Sequence, residues 1–320
     1  MARRRRGRRS ELMPADPKKV IALTGATGFV GSTLLDRAIA AGHEVRALTR
    51  RPQPRRDGVT WIAGALDDHA ALAALVDGAD AVVHVAGAVN ARNRAGFAAA
   101  NIAGTEAVAA AARTAGVTRF IHVSSLAARE PALSDYGWSK TGAETVVMGS
   151  GLDWTIVRPP AIYGPRDTEM LAMFTMASRG FVLLPPAGRM SVIHVADLSA
   201  LLLALIEGGR DYVGQVFEPD DGRPNGWSHR GFARALGKGV GRSVATISMP
   251  GWLVHAAARS SRIVRRDKAK LTPDRAAYFC HPDWTVSASR RPPSDLWMPA
   301  VETQRGLADT AKWYRAEGWL

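Results

Sequence analysis

Thr24-Gly25-Ala26-Thr27-Gly28-Phe29-Val30-Gly31 is the stretch on which the fold turns, because its glycines fall at i, i+3 and i+6 between two patterned elements. Before it, Lys19 to Thr24 is a short, apolar, partly β-branched run that reads as a strand. After it, a helical pattern runs from Phe29 to Ala41 and stops at Gly42. In that setting Gly25 permits the tight turn, Gly28 lets the backbone approach a pyrophosphate, and Gly31 lets helix and strand pack closely. Phosphates would then meet the positive end of the helix dipole, where unpaired N–H groups point outward. Spaced glycines alone also suit a plain structural turn; the flanking strand and helix favour the nucleotide reading.

Outward from the loop the same alternation repeats. Strands are expected near Glu44 to Thr49, Val59 to Ala63, Ala81 to Val85, Arg119 to Ser124 and Trp154 to Val157. Helices are expected near Asp68 to Val76, Phe97 to Ala115 and Tyr136 to Met148. Repeated βα units predict an α/β fold with a doubly wound parallel sheet over residues 19–158. Beyond Pro159, proline and glycine punctuate shorter elements, with helices near Glu169 to Ala177, Ala196 to Glu207, Gly231 to Leu236 and Val301 to Glu317. Residues 159–320 therefore read as a smaller lobe carrying a C-terminal helix, and residues 1–18 as a basic, disordered tail.

The end of the second strand selects the dinucleotide. A carboxylate there accepts from the ribose 2′-hydroxyl of NAD, whereas an arginine pairs with the 2′-phosphate of NADP. The text is Arg46-Ala47-Leu48-Thr49-Arg50-Arg51, with no acid and with Arg50 placed for a bidentate phosphate contact. NADP(H) is expected over NAD(H), against the plainer reading of Arg50 and Arg51 as solvated loop charges.

With five further segments in order, the chain resembles the extended short-chain dehydrogenases, the NAD-dependent epimerase/dehydratase family. TGATGFVG matches its nucleotide fingerprint, Val83-His84-Val85-Ala86-Gly87 its fourth-strand motif, Asn101-Ile102-Ala103-Gly104-Thr105 its NxxGT helix, and Val123-Ser124-Ser125 its serine motif. Tyr136-Gly137-Trp138-Ser139-Lys140 matches YxxxK, and Arg158-Pro159-Pro160 the segment after strand six. Ile193-His194-Val195-Ala196-Asp197 and Trp313-Tyr314-Arg315 resemble later family segments, so the likeness covers about residues 19–320. It implies a Rossmann-type fold and a cofactor lined by Gly25, Thr27, Gly28, Phe29, Val30, Gly31, Arg50, Leu66, Ala86, Gly87, Tyr136, Lys140 and Pro159. Two departures stand out. Ala65 follows Gly64 where the family often has an aspartate for the adenine amine, leaving Leu66, Asp67 or backbone for that role. Pro159-Pro160-Ala161-Ile162-Tyr163-Gly164 lacks the asparagine usual in sugar-nucleotide epimerases, which disfavours a nucleotide sugar. The stretch from Leu271 to Trp313 resembles the dihydroflavonol-reductase and hydroxysteroid-dehydrogenase branches.

Tyr136 and Lys140, at i and i+4, share one helical face and can converge on one ligand. A nearby ammonium favours the phenolate and brings a poor base toward the working range; the resemblance adds that Lys140 holds the nicotinamide ribose. Ser125, at the end of a parallel strand, can orient a substrate oxygen. Tyr136, Lys140 and Ser125 form the candidate catalytic set. Asn101 suits a water or a helix kink behind Lys140, or a cap, and His194 reads as structural. Met170, Met173, Phe174, Met176 and Phe181 suit an apolar pocket or, equally, a core.

The function expected is hydride transfer between NADP(H) and a carbonyl or secondary alcohol of a small apolar or aromatic substrate. The alternatives are epimerisation or dehydration through a transient ketone, and a non-enzymatic NADP-binding regulatory or accessory protein. Composition agrees with a folded enzyme: of 320 residues, 47% are hydrophobic and 22% charged. One cysteine, Cys280, excludes an internal disulfide framework and a cysteine zinc site and suits the cytoplasm; no metal is expected. Six arginines and one glutamate in residues 1–12 hold +5 of the net +13, so the remaining +8 is dispersed and no specific nucleic-acid partner is expected. No apolar run is long enough for a membrane span. The family's habit of pairing through the helices that begin near Phe97 and Tyr136 implies a homodimer.

Overall fold

The computed structural model describes residues 18–208, 211–265 and 272–320, so the expected basic tail lies, apart from Lys18, outside the described residues, as does Leu271. Seven parallel strands form the central sheet: β1 Val20–Thr24, β2 Glu44–Thr49, β3 Val59–Ala63, β4 Ala81–His84, β5 Arg119–Val123, β6 Asp153–Val157 and β7 Gln215–Phe217. Their order is β7-β6-β5-β4-β1-β2-β3. β4 and β5 are buried along their whole length because helices cover both faces, as parallel sheets require. One layer packs α1 (Phe29–Ala40) on β1 and β2; the other packs α2 (His69–Val76), whose N-cap is Asp68.

After β3 the chain crosses back to lay β4 on the other side of β1. That reversal opens a crevice above the carboxyl ends of β1 and β4, where doubly wound sheets bind ligands. β7 was not expected: it pairs with β6 in parallel, and at three residues its own pattern is too short to declare a strand. The sheet thus draws on chain beyond residue 158, and the two units interleave in sequence.

The expected long helix from Phe97 has a break in its middle. α3 comprises an α-helical turn Arg94–Phe97, a π-helical section Ala98–Ala103 and an α-helix Gly104–Thr114. α4 (Asp135–Met148) starts at Ser134, whose hydroxyl accepts from Gly137 N at 2.9 Å.

In the second lobe α5 (Leu171–Ser178), α7 (His229–Gly239) and α10 (Thr303–Ala316) close a core around Tyr163, Phe174, Phe232, Leu307 and Tyr314. α6 (Val195–Glu207) instead packs on α1 and so belongs to the sheet's cover. Two helices absent from the sequence reading complete the lobe: α8 (Gly251–Arg265) and α9 (Pro273–Cys280). They share a small core of Val254, Ala258 and Ala276. Among the described residues no helix is long and apolar enough to cross a membrane.

Candidate active site

The glycine loop joins β1 to α1 at the mouth of the crevice. Gly25 has φ +73°, and a Cβ there would stand 2.8 Å from Ala86 N, so a side chain is excluded both by conformation and by the neighbouring strand end. A Cβ on Gly31 would lie 2.0 Å from Gly25 O, so the helix crosses the loop at a distance only glycine allows. Gly28 caps α1 without any side-chain partner, and the first turn holds no acid. Thr27 and Gly28 are exposed, and Phe29 and Val30 partly so. An open, positive helix end beside bare backbone fits a dinucleotide pyrophosphate.

Around this loop the other expected cofactor residues assemble unevenly. Ala86 and Gly87 follow β4, and Ala86 N donates to Thr24 Oγ1 at 3.2 Å. Arg50 is exposed just past β2 and makes no ion pair among the described residues, while Thr49 Oγ1 donates to Arg51 O at 2.7 Å. Leu66 packs against Gly104 and the core beneath α2 rather than standing free, and Asp67 is exposed. Pro159 follows β6 and its carbonyl accepts from Leu126 N at 3.0 Å, tying the strand-six exit to the turn after Ser125.

Tyr136 lies in the first turn of α4, partly buried, with its ring 6.1 Å from that of Phe97. Ser125, at the end of β5, is close enough to hydrogen-bond the phenol and draws its pKa down. Burial is the larger effect, however, and holds the phenol above its ordinary pKa. The expectation that Lys140 lowers that pKa is not met: Lys140 Nζ donates to Val123 O at 2.9 Å, and it is the lysine whose pKa falls, to about 8, through burial.

Four likenesses bear on this arrangement. A family model described as NAD(P)H-binding matches residues 25–206. A ceramide reductase from Caulobacter vibrioides is 39% identical over 323 residues, covering 96% of this chain and 98% of that protein. The chain belongs to the extended short-chain dehydrogenases. A 3-beta-hydroxysteroid dehydrogenase from Mycolicibacterium neoaurum is 27% identical over 74% of each chain. The Bordetella bronchiseptica enzyme WbmG, solved in complex with NAD, superposes with a TM-score of 0.73 at 23% identity over 96% of this chain and 97% of that one. The chain is accordingly an NAD(P)-dependent oxidoreductase.

As a short-chain dehydrogenase it carries a supporting network that its motifs did not announce. Asn101, in the π-helical section, accepts from Ala88 N at 2.7 Å and donates to Ala88 O at 3.0 Å and to Ser139 Oγ at 2.8 Å. Ser139 in turn donates to Tyr136 O at 2.8 Å, so Asn101 links the strand-four exit to the turn that carries the tyrosine. Thr105 donates to Asn101 O at 2.6 Å, leaving its oxygen to accept from His84 Nε2 at 3.0 Å. His84 Nδ1 therefore accepts from Thr24 Oγ1 at 2.7 Å. Burial, and secondarily Lys140, depress His84 to about 3, so it is a neutral connector.

A buried ion network lies behind Lys140. Glu144, one turn along α4, takes Arg158 through two bonds of 2.8 and 2.6 Å and accepts from Ser124 Oγ. Arg158 also stands 3.6 Å from Glu218, which is fully buried and meets Arg129 at 3.4 Å and Ser287 N at 2.8 Å. Glu144 favours the charged form of Lys140, against burial. Glu144 and Glu218 were missed because their partners lie far away in sequence; the motif Arg158-Pro159-Pro160 was the available signal.

Of the two readings open for the methionine-rich set, pocket or core, the structure shows the core. Met170 and Phe174 are buried, Met173 and Met176 pack against them, and Phe174 meets Tyr314 edge-on at 5.0 Å, so this set is core. Phe181 is a strand residue of the same lobe. Tyr136 instead packs, together with Leu133, Met190, Tyr278 and Val286, against a small buried cluster of Leu126, Ala127 and Trp284, with Tyr278 stacked on Trp284 at 4.5 Å. His194 caps α6, its Nδ1 accepting from Ala196 N at 3.2 Å.

Proposed function

We propose that this chain reduces a ketone or aldehyde of an apolar or aromatic compound with NADPH, or runs the reverse oxidation, using Tyr136 as proton donor and acceptor. The observation that carries this reading is the phenol of Tyr136 beside Ser125 at the end of β5, walled by Tyr278, Trp284 and Leu126. When bound, the nicotinamide supplies or receives the hydride. The protein's part is to place the substrate oxygen between two hydroxyls, Ser125 holding it and Tyr136 giving it a proton. A phenol held above its ordinary pKa is fully protonated at neutral pH, which suits the reductive direction. Lys140 reaches the crevice from the same helix and would hold the nicotinamide ribose.

Arg50, exposed with no ion pair among the described residues, would receive the 2′-phosphate of NADP(H). The aromatic wall offers few hydrogen-bonding groups for a sugar, which favours carbonyl reduction over nucleotide-sugar epimerisation. The names of the ceramide reductase and the hydroxysteroid dehydrogenase point to lipophilic compounds in those relatives. A panel of ketones, aldehydes and alcohols, followed by NADPH or NADP absorbance, tests the proposal. Turnover confined to apolar or aromatic carbonyls is expected; absence of turnover across the panel, with NADPH bound, would overturn it.

A further inference from the structure

The helical pair α8 and α9 exposes large apolar side chains at one end of the second lobe. Trp252 is 72% exposed and Leu253 is exposed beside it, at the start of α8. Phe279 is exposed near the end of α9. The two helix ends adjoin, since a Cβ on Gly251 would stand 4.0 Å from Cys280 Sγ. Just before α8, Ile247 is 50% exposed and pairs in register with Leu183, itself exposed, across a two-stranded parallel ribbon. The inward positions Val254 and Ala258 are spent on α9, which leaves Trp252 and Leu253 facing outward.

The stretch that carries Trp252 and Leu253 also carries exposed basic side chains, while α9 opens on Asp274. Arg242 and Arg259 are exposed and make no ion pair among the described residues. By sequence, residues 242–270 hold seven arginines and lysines against a single aspartate. A tryptophan and a leucine at the exposed start of a helix, with Arg259 two turns on along the face of Trp252, have the make-up of an element that lies in a lipid headgroup layer. A second copy of the chain fits less well, because it would bring two such basic segments together.

This end of the lobe is also continuous with the roof of the active site. Phe279 follows Tyr278, their rings 5.8 Å apart, and Tyr278 packs with Tyr136 and Trp284. We propose that the face formed by Leu183, Ile247, Trp252, Leu253 and Phe279 docks on an anionic lipid surface, so that an apolar substrate reaches Tyr136 from the bilayer. The docking stands on the surface alone; the delivery of substrate rests on the reading under Proposed function.

Vesicle cosedimentation tests the docking on the full chain. Binding is expected to phosphatidylcholine vesicles containing phosphatidylglycerol, to fall as salt rises, and to be slight for phosphatidylcholine alone. The double variant Trp252→Ser, Leu253→Ser should weaken partitioning roughly ten- to hundredfold with an unchanged melting temperature. Arg242→Gln with Arg259→Gln should weaken only the anionic component. Wild-type protein that stays in the supernatant, or a double variant that binds as well as wild type, would overturn the docking. So would conversion of a dimer to a monomer by the double variant in sedimentation velocity, which would make this face a self-contact. Delivery is read from turnover of acetophenone in water against a long-chain alkyl phenyl ketone carried in the vesicles. The double variant should lose rate only with the second; equal rates with both would overturn delivery while leaving docking in place. Failure of both ketones with wild-type protein would instead count against the proposed function.

Discussion

The loop from Thr24 to Gly31 rests on strands buried on both faces, whereas Tyr278 and Trp284, across from Ser125, belong to an eight-residue helix and a two-residue strand. Apolar burial and close backbone approach hold the first region, as at Gly31, where any side chain would strike the loop. Small clusters and short pairings hold the second: Trp284 packs on Leu126 and Ala127 and pairs with Met190, Arg129 donates to Thr285 O at 2.8 Å, Trp284 Nε1 to Tyr278 O at 2.9 Å, and Asp274 accepts from Asp135 N. A floor built from the main core tolerates little change, while a roof of short elements on small clusters can change its side chains at a smaller cost to the fold. On the proposed function, substrate choice would vary on the roof while cofactor binding stays constant on the floor.

The largest expected effect separates chemistry from both regions. Tyr136→Phe should lower kcat by about 10²- to 10⁴-fold with NADPH affinity and melting temperature nearly unchanged. Near-normal turnover with a saturating substrate would remove Tyr136 from the chemistry. Next, the two apolar sets should part company. Phe174→Ala, in the core, is expected to cost about 3–5 kcal/mol of stability and to leave KM alone, as read by denaturant titration and steady-state rates. Tyr278→Ala should instead raise KM for an aromatic ketone about tenfold or more, with a smaller change in midpoint. The reverse pattern would return the pocket to the methionine-rich helix.

Smaller still is the effect at Arg50, where Arg50→Ala should weaken NADPH by roughly 1.5–3 kcal/mol and leave NADH unaffected. Equal titration curves for the two cofactors on the unmodified protein would refute the assignment. The smallest effect is in pH. Lys140 has its pKa lowered to about 8, so its ammonium is present below that pH and is lost as pH rises through it. Cofactor affinity should decline across that window, and the decline should be absent from Lys140→Met. In the same linkage the free amine is the form that burial favours, so Lys140 costs stability below its folded pKa and this cost fades toward alkaline pH.

The cofactor loop and the Tyr136-to-Lys140 spacing were legible because each depends on residues within one turn or one strand-loop-helix unit. The glycines must sit where backbone atoms approach within contact, and i, i+4 positions share a face whatever surrounds them. Asn101 was legible only as a choice among water support, kink and cap; it sits in the π-helical section and its bonds to Ala88 and Ser139 make it a connector. β7 was not legible, because three residues carry no period of their own and become a strand only through β6.

The sequence by itself determined the doubly wound sheet, the glycine loop between its first strand and helix, and the helix bearing Tyr136 and Lys140, since periodicity and glycine spacing act locally. Tertiary structure alone decided which apolar residues face the tyrosine, for Met170 and Trp284 are equally apolar in text and differ in what packs over them. It also decided the state of the two titrating groups, because desolvation depends on every neighbour: burial lifts the phenol and lowers the lysine despite their favourable spacing. Glu218 shows the same dependence most plainly, a carboxylate with no motif of its own that joins Arg158 and Arg129 only when β7 is laid against β6.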